Sequence, residues 1–104
     1  MDTIEFEISD DDLAAVMNLL KDVVASTTSA DAWAALDAER QRRAAGAGAM
    51  PIRLGRDRAV EFSEWLTARG RAHARSADAG EQLRGQQLAR VAIAIESVLK
   101  RPAR

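Results

Sequence analysis

Leu88-Ala89-Arg90-Val91-Ala92-Ile93-Ala94-Ile95-Glu96-Ser97-Val98-Leu99 is a strongly apolar run whose period decides the fold. At about 100° per residue, Leu88, Val91, Ala92, Ile95, Val98 and Leu99 share one stripe about 120° wide. Arg90, Ser97 and Lys100 lie behind it. A helix of this kind is the central post of a small core. Ile93 breaks the pattern by pointing to the polar side, so it asks for a second partner.

The N-terminal part carries a matching stripe. Leu13, Val16, Met17, Leu20, Val23 and Val24 repeat the same offsets over a predicted helix from about Asp10 to Ala25. Two such faces are expected to pack on each other. Ser9 reads as the N-cap, with Asp12 completing a capping box and Asp10 and Asp11 favouring the positive end of the dipole. A metal-binding reading of Asp10-Asp11-Asp12 lacks the spaced oxygen ligands and turn glycine of a calcium loop. Before the cap, Ile4, Phe6 and Ile8 alternate with Thr3, Glu5 and Glu7, the period of a half-buried strand.

Between the two stripes the signals are weaker. Ser26-Thr27-Thr28-Ser29 is a polar break, and Thr28 with Asp31 resembles a second capping box. A helix from Ala30 to about Ala44 follows, with Trp33 and Leu36 on a thin apolar side; it belongs at the edge. Trp33 reads equally as a core lid or an exposed contact. Residues 45–50 form a glycine/alanine segment expected to be flexible. It lacks the Gly-Lys-Ser/Thr end of a phosphate loop.

Met50, Ile52 and Leu54 then alternate as an edge strand, because Pro51 removes a ladder donor. From Arg56 or Asp57 a helix continues to about Ala74. Phe62, Trp65, Leu66, Arg69 and His73 share one side of it, with Val60 nearly opposite. Ser76-Ala77-Asp78 caps the last helix, where Gly80 and Gly85 each cost up to ~1 kcal/mol against alanine. A glycine retained inside a helix permits close approach of another backbone. Residues 101–104 read as a frayed basic tail.

These elements predict one α+β domain over residues 1–104, mostly helical. The order is β-α-α-β-α-α, with a small two-stranded sheet and central first and last helices. Apolar residues at 47% and charged residues at 30% fit a globular chain. The acidic N-terminus and the lack of an apolar run near ~20 residues point to a cytoplasmic protein without a membrane partner. No cysteine is present, which excludes disulfides, thiolate catalysis and Cys-type zinc sites. His73 is the only histidine and has no nucleophile motif beside it, so the expectation is no enzyme, no catalytic or metal residues and no cofactor.

Charge is divided along the chain. Residues 1–39 hold ten acids and one base, whereas residues 40–104 hold fourteen bases and six acids. Either the halves neutralise one another on folding or one of them is a working surface. Arg40, Arg42, Arg43, Arg53, Arg56 and Arg58 form a candidate basic face for nucleic-acid phosphates. The run Met50-Pro51-Ile52-Arg53-Leu54-Gly55 followed by two helices resembles a ribbon-helix-helix repressor in element order, which implies paired strands in a major groove. It departs from that family in its long third helix and in the acidic strand and two helices that come first. Glu5, Glu7, Asp10, Asp11, Asp12 and Asp22 form a candidate acidic face that would imitate nucleic acid. Val60 and Ile93 are candidate self-association residues. The leading expectation is a homodimeric protein-interaction domain that binds another protein through charged faces, with DNA binding as the alternative and nucleic-acid mimicry third.

Overall fold

A computed structural model describes residues 3–21 and 27–100 of the chain. The elements are β1 (Thr3–Phe6), α1 (Asp10–Leu20), α2 (Thr27–Ala44), β2 (Ile52–Gly55), α3 (Arg56–Ala74) and α4 (Ala79–Leu99). This is the expected mostly helical α+β order. The two strands pair antiparallel within the chain, with Ile4 opposite Leu54 and Phe6 opposite Ile52. Period two sends those four side chains to the core and leaves Glu5 and Arg53 outside. Met50 does not join the strand. It is exposed, and its amide and carbonyl are taken by the Glu39 and Arg43 side chains instead of a ladder partner.

At α1, Ser9 Oγ accepts from the Asp12 amide at 3.2 Å, so the cap stands as read. Asp12 does something else. It is buried, and its Oδ1 accepts from Arg90 of α4 at 2.8 Å, tying two helices together across the core edge. The helix ends at Leu20, not Ala25, with Lys21 as its C-cap. An apolar period that runs on through Val23 and Val24 marks no stop when no glycine follows. Those two valines, like Asp22 and the 101–104 tail, lie outside the described residues.

The second helix begins at Thr27, earlier than expected, so Thr28 lies within its first turn instead of capping it. Asp31 pairs with Arg58 at 3.0 Å. Its C-terminus closes as a Schellman motif: Gly46 (φ +93°) donates to Arg43 O at 3.0 Å and Ala47 to Arg42 O at 3.1 Å. Trp33 is half-buried and packs against the core as a lid.

The widest helix–helix contact is α3 with α4; α1 also packs on α4, as its stripe requires. The hairpin draws together at two glycines. A Cβ on Gly85 would lie 2.8 Å from Gly70 O and 3.0 Å from the Ala74 amide nitrogen, and one on Gly70 would lie 3.2 Å from Gly85 O. These are backbone neighbours that cannot turn aside. At the far end of the hairpin Arg56 donates to Leu99 O at 3.4 Å, supplying a cation to an α4 terminus with no basic residue in its last turn. His73, in the last turn of α3, accepts from the Ser76 amide through its carbonyl. Leu20, Leu36, Phe62, Leu66, Leu88 and Ile95 fill the centre of one core to which every element contributes.

The glycines make opposite predictions. Gly80→Ala, where a Cβ meets only the Asp78 carboxylate at 3.7 Å or more, should stabilise by about 0.4–1 kcal/mol. Gly85→Ala should destabilise by about 1–3 kcal/mol despite its better helix propensity. Thermal unfolding followed by circular dichroism checks both signs.

Candidate interaction surfaces

The six arginines suggested by sequence stand around the end of α2, β2 and the start of α3, and each is engaged. Arg40 pairs with Asp37, Arg42 with Glu39, Arg53 with Glu5 at 2.6 Å across the two strands, and Arg58 with Asp31. Arg43 reaches Glu39 at 2.6 Å and Asp10 at 2.8 Å and also donates to Ile8 O. Arg56 holds the carbonyl at the end of α4. The exposed pairs are worth about 0.2–1 kcal/mol each, so their meaning is directional: the acidic and basic halves of the chain face each other.

Glu39 organises the most buried part of this network. Its side chain is 6% exposed and accepts from the Met50 amide at 2.8 Å, from Arg42 at 2.7 Å and from Arg43. The Met50 amide, with help from both guanidiniums, holds its carboxyl at about 2, well below the ordinary 4.5, against an opposing desolvation cost. Through these bonds, together with Arg42 to Gly48 O, the 45–50 segment is tied to α2. A cleft of about 390 Å³ above Arg43 is lined also by Glu7, Ile8 and Met50.

The acidic residues do not form one face. Glu5, Asp10 and Asp12 each take an arginine from the second half of the chain, whereas Glu7 and Asp11 are exposed. Among the described residues no three His, Cys, Asp or Glu side chains stand together as a metal site, and no helix is long and apolar enough to cross a membrane.

Val60 and Ile93 are 38% and 60% exposed. Between α3 and α4 runs a groove of about 390 Å³ whose lining includes Thr67, Gly70, Arg71, Gly85, Ala89 and Ile93. Residues 60, 67, 71 and 74 fall on one face of α3, and 86, 89, 93 and 96 on one face of α4. Val60 and Ile93 therefore project from the same side of the hairpin, and Ile93 lines the groove. The close approach of Gly70 and Gly85 opens this groove beside Thr67 and Arg71. Gly85 inside a helix was the signal.

No protein-family model, curated protein or solved structure matches this chain.

The depressed Glu39 value has a fixed sign. A folded pKa below the unfolded one gives stability that is present above the ordinary value near 4.5 and lost as pH falls toward about 2. Glu39→Gln should therefore lower stability at neutral pH, and its gap from wild type should narrow as pH falls. Urea midpoints measured from neutral pH down to about pH 3 check this; a gap independent of pH would remove the charge from the account.

Proposed function

We propose that this chain is a non-enzymatic protein-interaction domain that self-associates, most simply as a twofold dimer, through the outer face of the α3–α4 hairpin. The observation that carries this reading is the placement of exposed Val60 and Ile93 on one side of the hairpin, where Ile93 lines a groove between α3 and α4. Single exposed apolar side chains are ordinary on a monomer surface. Two that share a face, one of them lining a predominantly apolar groove, supply what an interface core requires: apolar area with a polar rim.

The charged faces support it less. Five of the six candidate arginines are already opposed by carboxylates of the same chain, so phosphate binding would have to compete with Asp10, Asp31, Asp37, Glu5 and Glu39. The same pairs withdraw Glu5, Asp10 and Asp12 from any imitation of nucleic acid. Self-association remains the reading with a free surface behind it.

Light scattering coupled to gel filtration at micromolar concentration should return twice the 11.3 kDa of one chain. Ile93→Glu should return the single-chain mass with helical content unchanged, because Ile93 stands outside the core. A wild-type mass of one chain rejects the proposal.

A further inference from the structure

The α3 face that carries Val60 also carries two charges in a symmetric arrangement. Glu64 lies three residues before Thr67 and Arg71 four residues after it, so the three share one side of the helix. Both charged residues are exposed. Among the described residues neither side chain is in an ion pair, in contrast to the arginines around α2 and β2. An acid and a base equidistant from a point between Thr67 and Ala68 are self-complementary under one operation, a twofold rotation that lays the helix antiparallel on its own copy.

We propose that the occupant of this face is a second copy of the chain, packed about a twofold axis between Thr67 and Ala68, with Glu64 of each copy on Arg71 of the other. The inference rests on the self-association reading and adds its register. In this packing α3 lies on α3 and α4 on α4. The contact of Gly70 with Gly85 and the reach of Arg56 to Leu99 O show that the two helices run side by side along the hairpin. The rotation that pairs Glu64 with Arg71 therefore also carries Ile93 onto the groove of the second copy near Gln86, another groove residue. It sets Val60 close to Ala74 of the second copy, at the other end of the groove. The groove can receive these side chains because glycine and alanine leave its floor low. Charge fixes the orientation: a parallel packing would stack Glu64 on Glu64 and Arg71 on Arg71, which repel.

Charge exchange tests the register. Glu64→Arg and Arg71→Glu, each alone, replace both intermolecular pairs by like charges and should each weaken the dimer about tenfold or more in sedimentation equilibrium. An equimolar mixture of the two variants should recover near wild-type affinity, because the heterodimer restores both pairs with their signs exchanged. Thr67→Cys, in a chain with no other cysteine, should cross-link across the axis on mild oxidation, and Ala38→Cys on the exposed side of α2 should not. Wild-type dimers with variants that dimerise as well as wild type, or a mixture no better than its components, overturn this register and leave self-association standing. A monomeric wild type overturns both.

Discussion

The carbonyl oxygen of Gly70 stands where a side chain on Gly85 would have to go, 2.8 Å from the Cβ position, and the reverse approach is only slightly looser. This backbone contact sets the geometry of the hairpin. It brings α3 and α4 close enough for Phe62, Leu66, Leu88 and Ile95 to share one core. On the opposite side it leaves a groove with a low floor, because nothing bulkier than alanine stands at Gly70, Ala74, Gly85 and Ala89. Stability and the candidate interface thus come from the same two residues. The intrinsic cost of glycine in a helix is offset by what close packing allows.

A second constraint is electrostatic. The first part of the chain is acidic and the rest basic, and the fold interleaves them. Asp10 with Arg43, Glu5 with Arg53, Asp12 with Arg90 and Asp31 with Arg58 each join residues far apart in sequence. Most of these pairs are exposed and individually weak. The cluster at Glu39 differs because it is buried and holds three donors, which fixes the approach of the 45–50 segment to α2. What the surface retains after this neutralisation includes the charges along the α3–α4 face.

A small sheet explains why the outer hairpin face is the one left over. Ile4, Phe6, Ile52 and Leu54 cover the inner side of the hairpin, with α1 and α2 closing the rest of the core. Two four-residue strands make a marginal sheet by themselves, so they depend on the helices they cover. Among the described residues no element crosses the other side. Val60 and Ile93 remain exposed there among the described residues.

Periodicity alone determined much of this protein. The apolar stripes of Leu13 to Leu20 and of Leu88 to Leu99, the alternation of Ile4 and Phe6, the Ser9 cap and the order of elements are local properties, set by side-chain spacing along a helix or strand. The outward direction of Val60 and Ile93 followed from the same spacing. Partnership did not. Asp12 reads as half of a capping box until Arg90 arrives from α4, Met50 reads as a strand residue until Glu39 and Arg43 take its amide and carbonyl, and α1 shows no stop signal at Leu20. Glu39 looks like one more charge on a polar helix face, whereas the fold buries it among three donors. Only the tertiary structure could decide these matters, since each depends on which residue arrives from a distant part of the chain, and spacing along one element carries no information about that.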